Sequence, residues 1–173
     1  MFEWLSNILT TCAKVLPHLV HVKCTHAGVM FRASKYRVLK PGLTLYFPFY
    51  SEPVVIPVER QAVDLQPQTL TCEDGVTVEV AATVVYRIEC VEKALTATWD
   101  HDATVAEVAQ RSVKNCVTRL NSDAVLHGRR GFDARLRKRL VTELIPYGVA
   151  VQQAFLTSAV PVRTYRVFTG KAL

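Results

Sequence analysis

Residues 38–95 read VLKPGLTLYFPFYSEPVVIPVERQAVDLQPQTLTCEDGVTVEVAATVVYRIECVEKAL, and the order of turns and strands within them indicates the fold. A Pro-Gly pair at residues 41–42 suits the two central positions of a type II turn and leads into one strand. A proline-rich bend leads into a second strand. An Asp-Gly turn at residues 74–75 opens a third, in which apolar and polar residues alternate over residues 76–88. The sequence therefore predicts a sheet built around one long strand.

The rest of the chain divides into further short strands and three helical segments. Apolar residues at helical spacing mark the helices, and prolines and glycines mark their ends. The other predicted strands are residues 27–32, 36–39, 43–47, 54–58, 61–70 and 149–160. The predicted helices are residues 91–98, a helix from Asp100 or Asp102 to about Leu120, and a helix over residues 132–145. We therefore predict an α+β fold in which a mostly antiparallel sheet packs against helices.

Residues 1–22 form an amphipathic pattern on a helical wheel. The large apolar residues fall on one arc, and Glu3, Lys14 and His18 fall on the opposite side. The pattern predicts an amphipathic helix that Pro17 kinks or shortens. Such a helix either covers the core of its own domain or lies in the membrane interface. In the second case the membrane-binding residues are Phe2, Trp4, Leu5, Ile8, Leu9, Val15, Leu16 and Leu19.

Composition indicates a basic protein of a reducing compartment. The net charge of +6 suits anionic lipid head groups or nucleic acid. The 5 cysteines include no CxxC pair, which argues against a disulfide framework. We find neither a secretory signal pattern nor an apolar run of the roughly 20 residues that a bilayer span needs. Cys12 lies on the apolar arc and is a candidate for acylation, and the alternative is a small buried hydrophobic residue.

A cluster of basic residues lies just before and within the last predicted helix. Its members are Arg129, Arg130, Arg135, Arg137, Lys138 and Arg139. The cluster is a candidate contact for anionic lipid or an acidic partner. Nucleic-acid binding is a second interpretation, which we do not favour because no nucleic-acid motif surrounds the cluster. A solvated helix face with ion pairs between subunits is the third.

We find no set of residues that predicts catalysis or metal binding. His18, His21, Cys24 and His26 are ligand types that zinc accepts, but no second cluster accompanies them. We therefore expect surface histidines and no metal. The motifs GxSxG, HExxH and GxGxxG and the P-loop do not occur. We expect no enzymatic activity and no cofactor.

The order of turns and strands resembles the SPFH domain shared by stomatins, prohibitins and flotillins. The matching elements are Pro41-Gly42-Leu43, Phe47-Pro48, Arg60-Gln61, Thr71-Cys72-Glu73-Asp74-Gly75-Val76, Tyr86-Arg87-Ile88, Leu136-Arg137, Leu140 and Tyr147-Gly148-Val149. The spacing from Thr71 to Asp74 is one residue longer than in the family. The resemblance covers roughly residues 27–160.

The resemblance implies a non-catalytic scaffold on the cytoplasmic face of a membrane. Such a scaffold oligomerises with itself or with related SPFH subunits, and it organises a membrane patch or modulates a partner such as an AAA protease or a channel. The implied layout is a membrane-interface helix over residues 1–22, an SPFH-like domain over residues 23–160 and a tail over residues 161–173.

Two alternatives to this scaffold stay open. The family usually continues into a long coiled coil that helps it assemble into rings or cages, but no heptads occur here. The resemblance therefore does not decide whether this chain assembles into a large cage. One alternative is a short subunit that limits the assembly of longer relatives. The other is a soluble basic domain that binds nucleic acid or an acidic protein through residues 129–139, with the N-terminal helix folded onto its own core.

Overall fold

The computed structural model describes residues 16–33 and 35–163. In chain order the strands are β1 His18–Val22, β2 His26–Arg32, β3 Lys35–Leu39, β4 Gly42–Tyr46, β5 Ser51–Pro57, β6 Gln61–Asp64, β7 Gln68–Thr71, β8 Thr77–Ile88 and β9 Val149–Pro161. The helices are α1 Val91–Thr96, α2 His101–Val117, α3 Ser122–Leu126 and α4 Arg129–Leu144, and a 3₁₀ turn follows at Ile145–Tyr147. The predicted α+β fold with antiparallel strands is confirmed.

The chain forms two units. Unit 1 contains the described residues up to Gln61 together with residues 87–101 and 145–150. In it β1 pairs with β4, and a second sheet has the order β3-β2-β5. Helix α1 lies against β2. The most buried apolar side chains of this unit are Val22, Val29, Leu39, Ala94 and Val149.

Unit 2 contains residues 62–86 and 102–144 and the described residues from Val151 onward. Its sheet is built around β8, which pairs with β6, β7 and β9. The alternation predicted for residues 76–88 places Val78, Val80, Ala82 and Val84 in the core. The helices contribute one buried stripe each, Val105, Ala109, Val113 and Val117 from α2 and Phe132, Leu136, Leu140 and Leu144 from α4. A hydrogen bond of 3.0 Å from the Leu156 amide to the Asp133 carboxylate joins β9 to α4.

The predicted Asp-Gly turn has a structural role in unit 2. Asp74 Oδ2 accepts hydrogen bonds from the amide and the hydroxyl of Ser122, at 2.9 and 2.6 Å. Its Oδ1 accepts one from the Val76 amide at 3.2 Å. Gly75 has a φ of 80°, a conformation that glycine adopts without steric strain. Because the Ser122 hydroxyl and amide stabilise the charged form, the pKa of Asp74 lies below its ordinary value. The turn therefore fixes the start of α3 beside the start of β8.

Three predicted boundaries are wrong. Residues 18–22 are not the end of a helix, because they pair with β4 over five residues as strand β1. The strand predicted over residues 61–70 is two strands, β6 and β7, and Pro67 lies between them, where it has no N–H to donate. Ile145 does not continue the buried stripe of α4, because it belongs to the 3₁₀ turn and is 55% exposed.

Candidate functional site

The sheet of β1 and β4 has one buried face and one exposed apolar face. Leu19 lies opposite Leu45, and His21 lies opposite Leu43, so their side chains share one face. Leu19, Leu43 and Leu45 are 61%, 68% and 55% exposed. On the other face Val22 is buried. The sheet therefore presents to its surroundings a row of leucines that no described part of the chain covers.

The loop after β4 extends this apolar surface. Phe49 is 84% exposed at its tip. The loop is held tightly, because the Ser51 amide donates to the Phe47 carbonyl at 3.0 Å and the rings of Phe47 and Tyr50 stack 5.6 Å apart. We call Leu19, Leu43, Leu45 and Phe49 the apolar face. Because the loop is already ordered, little conformational entropy is lost when Phe49 contacts a partner surface.

The segment that carries the apolar face contains only positive formal charges. Between Leu16 and Tyr50 the sequence has no aspartate and no glutamate. Its charged residues are Lys23, Arg32, Lys35, Arg37 and Lys40. An apolar surface on a basic segment is typical of proteins that contact membranes containing anionic lipid.

The predicted membrane-binding residues fall into two groups. Leu16 and Leu19 are both 61% exposed, and Leu19 belongs to the apolar face. Phe2, Trp4, Leu5, Ile8, Leu9 and Val15, and also Cys12, lie outside the described residues. Their helix and their membrane contact stay predictions. The prediction missed Leu43, Leu45 and Phe49, because only the pairing with β1 shows that the two leucines share a face with Leu19.

The structure divides the predicted basic cluster of α4. Arg135, Lys138 and Arg139 line a groove of about 460 Å³ between α2 and α4. Helix α2 adds Cys116 to the lining, and the turn after α2 adds Arg119. Arg137 is exposed elsewhere on α4, and Arg130 lines a separate depression with His127. Sequence reasoning missed Arg119, although it lies three residues after Cys116, a spacing that places two residues on one helix face.

Within the groove one arginine already has a partner. Arg139 Nε donates to Glu143 Oε1 at 2.7 Å, and the buried Ser112 hydroxyl donates to Glu143 Oε2 at 2.7 Å. Partial burial alone would raise the pKa of Glu143, but the hydrogen bonds from Ser112 and Arg139 outweigh it and hold the pKa below its ordinary value. Burial raises the pKa of the Cys116 thiol, so the groove does not provide a reactive thiolate.

Substitution of Glu143 by glutamine is expected to lower the free energy of unfolding by about 1–3 kcal/mol at pH 7, because Arg139 loses a charged acceptor. A depressed folded-state pKa contributes stability above the unfolded pKa, and this contribution is lost as the pH falls through the folded pKa. The deficit of Glu143→Gln should therefore shrink between about pH 5 and pH 3. Urea unfolding over this range measures it, with the exposed α2 residue Glu107→Gln as control. A deficit that does not change with pH would contradict this account.

The histidine and cysteine cluster does not form one site in the part of the chain that is described. The ring of His18 lies 5.9 Å from that of Tyr46, and His26 Nδ1 lies 2.7 Å from the hydroxyl of Thr25. Over residues 16–33 and 35–163 no three His, Cys, Asp or Glu side chains are grouped so that they hold a metal ion.

No helix among the described residues has both the length and the hydropathy that a membrane span requires.

The antiparallel sheets and the long strand followed by helices define an SPFH-type α+β domain. The profile of the SPFH domain / Band 7 family matches residues 20–168, and the chain belongs to this family. The family is one of membrane-associated, scaffold-type proteins.

Three relatives illustrate the range of similarity. An uncharacterised protein of Methanocaldococcus jannaschii is 27% identical over 151 residues, which are 87% of this chain and 76% of that protein. A stomatin homologue of Pyrococcus horikoshii is 24% identical over 75% of this chain and 49% of its own length. Mouse stomatin is 22% identical over 76% of this chain and 47% of its own length. The chain thus spans about half the length of the stomatin relatives it matches.

Proposed function

We propose that the chain is a non-catalytic scaffold that attaches to the cytoplasmic face of a membrane. It associates with itself or with related SPFH subunits, and it organises a membrane patch or modulates a membrane partner such as an AAA protease or a channel. The observation that carries this proposal is the apolar face, because its four large side chains are each more than half exposed. Soluble monomers rarely leave such a surface uncovered.

The size of the apolar face supports a weak and reversible attachment. Moving an exposed leucine or phenylalanine into an apolar medium contributes about 1.5–3 kcal/mol. Four partly exposed side chains therefore supply roughly 4–8 kcal/mol before the costs of association, so one copy binds no more tightly than a dissociation constant in the millimolar to micromolar range. Several linked copies bind far more tightly than one copy. This arithmetic supports self-association as part of the proposed function.

Vesicle co-sedimentation tests the membrane attachment. The full chain should sediment with phosphatidylcholine vesicles and should remain bound in about 0.5 M NaCl, because salt screens charges and leaves apolar burial intact. Failure to sediment with any vesicle would overturn the proposal. The particle mass in solution, measured by light scattering with and without lipid nanodiscs, tests self-association. A monomer under both conditions would remove that part of the proposal.

The groove between α2 and α4 favours a second candidate function. Arg119, Arg135 and Lys138 line it, and none of the three is within ion-pair distance of a carboxylate among the described residues. An acidic peptide or a nucleic-acid backbone fits such a surface. Retention on DNA that falls steeply with salt, and that is lost in Arg135→Ala but kept in Arg137→Ala, would support this function. The two functions differ in their salt dependence, so one experiment on each ligand separates them.

A further inference from the structure

Two arginines of unit 1 point to the same side of the sheet β3-β2-β5. Met30 on β2 lies opposite Arg37 on β3, and Arg32 lies opposite Lys35. Residues that face each other in an antiparallel register share one face, and residues two apart on a strand do as well. Arg32, Lys35 and Arg37 therefore form a basic patch on that face, although a turn separates Arg32 from the other two.

The basic patch forms part of a cavity. Arg32 and Arg37 line a space of about 230 Å³ together with residues of β4 and of the loop after it, among them Thr44, Tyr46 and Tyr50. The guanidinium carbon of Arg32 lies 4.8 Å from the centre of the Tyr50 ring. This cation–π contact is made with the ring and uses no acceptor oxygen, so it does not consume the hydrogen-bond donors of Arg32. The ring thus holds Arg32 in place without neutralising its charge.

No carboxylate among the described residues neutralises the two arginines. Neither Arg32 nor Arg37 is within ion-pair distance of an aspartate or glutamate in that part of the chain. The first acidic residue after Tyr50 is Glu52, and its register partner is Phe31, so it lies on the opposite face of the sheet from Arg32. Two guanidinium groups beside one cavity, with Thr44 and Tyr46 among its lining residues, form a site for an anion with several oxygen acceptors.

Two apolar residues of the cavity lining indicate which kind of molecule carries such an anion. Leu45 and Phe47 also line it, and they are 55% and 38% exposed. Leu45 is therefore common to the cavity lining and to the apolar face, although Thr44 and Tyr46 point to the other side of the β1–β4 sheet. In a membrane surface the phosphate groups lie directly above the acyl chains. A protein with an apolar face beside an arginine cavity matches this arrangement, because the apolar face meets the acyl chains and the arginines meet the phosphates.

We propose that this cavity binds the phosphate of an anionic lipid head group, with Arg32 and Arg37 as its donors. The inference rests on the proposed membrane attachment and adds a lipid class to it. A phosphomonoester, as in phosphatidic acid, is the preferred ligand, because it offers more charge and more free oxygens to two planar guanidinium groups than a phosphodiester does.

The test compares vesicles of phosphatidylcholine alone with vesicles that also contain roughly 20 mol% phosphatidic acid, an anionic lipid that makes the surface potential negative. The full chain should bind the second kind at least about tenfold more tightly, since each arginine near an anionic surface contributes about a fivefold gain.

Arg32→Gln with Arg37→Gln should lose this preference and keep binding to phosphatidylcholine. Arg32→Lys with Arg37→Lys should keep the general attraction to anionic vesicles and lose the preference for phosphatidic acid over phosphatidylserine.

Arg130→Gln with Arg137→Gln is the matched control, because it removes the same two charges from exposed positions of α4. If the double variant of Arg130 and Arg137 loses as much affinity as the substitutions in the cavity, general charge explains the preference and the site is overturned. The site is also overturned if the Arg32 and Arg37 variants bind like the unchanged chain. If soluble glycerol phosphate binds as tightly as the vesicles, the ligand is a free phosphate and the lipid assignment is overturned. If the chain binds phosphatidylcholine vesicles and phosphatidic acid does not increase its affinity, this inference alone is refuted. If the chain binds none of the vesicles, the proposed function is refuted as well.

Discussion

Replacing Leu43 and Leu45 together by aspartate is expected to reduce binding to phosphatidylcholine vesicles by at least about a hundredfold. Both side chains are more than half exposed, so the chain should fold without them. Each substitution removes about 1–2 kcal/mol of apolar transfer and adds a charge that must be kept out of the bilayer, which raises the loss further. Co-sedimentation measures the affinity, and circular dichroism verifies that the variant is folded.

The matched control is the double variant Ile145→Asp and Val160→Asp. Both residues are 55% exposed and neither belongs to the apolar face, so this variant adds the same two charges elsewhere. Its vesicle binding should stay within about threefold of the unchanged chain. Equal losses in the two double variants would mean that net charge, and not the apolar face, determines binding.

Substitution of Gly148 by alanine is expected to lower the free energy of unfolding by about 3–5 kcal/mol. Gly148 has a φ of 71°, and a Cβ at this position would lie 2.3 Å from the carbonyl oxygen of Cys90. The approach is close because the Gly148 carbonyl accepts hydrogen bonds from the amides of Glu89 and Cys90, at 2.9 and 3.1 Å. Alanine has to break this arrangement or displace α1. Chemical unfolding followed by circular dichroism measures the effect.

Gly131→Ala provides the control for Gly148→Ala. Gly131 lies in α4, and a Cβ there would meet no heavy atom within 4 Å. Alanine is the better helix former, so this variant should be more stable by up to about 1 kcal/mol. Similar losses in both glycine variants would show that the close approach to Cys90 does not determine the stability of this region.

Much of the fold could be predicted because its elements have local signals. The alternation of residues 76–88 and the helical stripes of α2 and α4 need no knowledge of their partners. Strand β1 lacks such a signal. Leu19 and Val20 also fit the apolar arc of a helix with His18 on its polar side, and only pairing with β4 makes these residues a strand. Nonlocal pairing of this kind overrides local pattern.

The candidate sites were harder to predict from the sequence than the strands, because they depend on which residues the strand register places side by side. The sequence shows Arg32 and Arg37 as two separate basic residues, and the pairing of Met30 with Arg37 places them on one face. The resemblance includes Tyr147-Gly148-Val149, but the sequence gives no physical reason for the glycine. The reason is the close approach of Gly148 to the Cys90 carbonyl oxygen. The cluster at residues 129–139 was predicted as one surface, but successive residues of a helix point in different directions, so α4 divides it.

Quenching of a tryptophan by brominated lipid tests the central claim most directly. With Trp4→Phe and Trp99→Phe as background, Phe49→Trp places the probe at the tip of the apolar face and Val160→Trp places it outside that face. On vesicles of brominated phosphatidylcholine the Phe49→Trp variant should show a blue-shifted and strongly quenched emission, and the Val160→Trp variant should show neither. Vesicle-bound protein in which the Phe49→Trp probe stays unquenched would contradict the account.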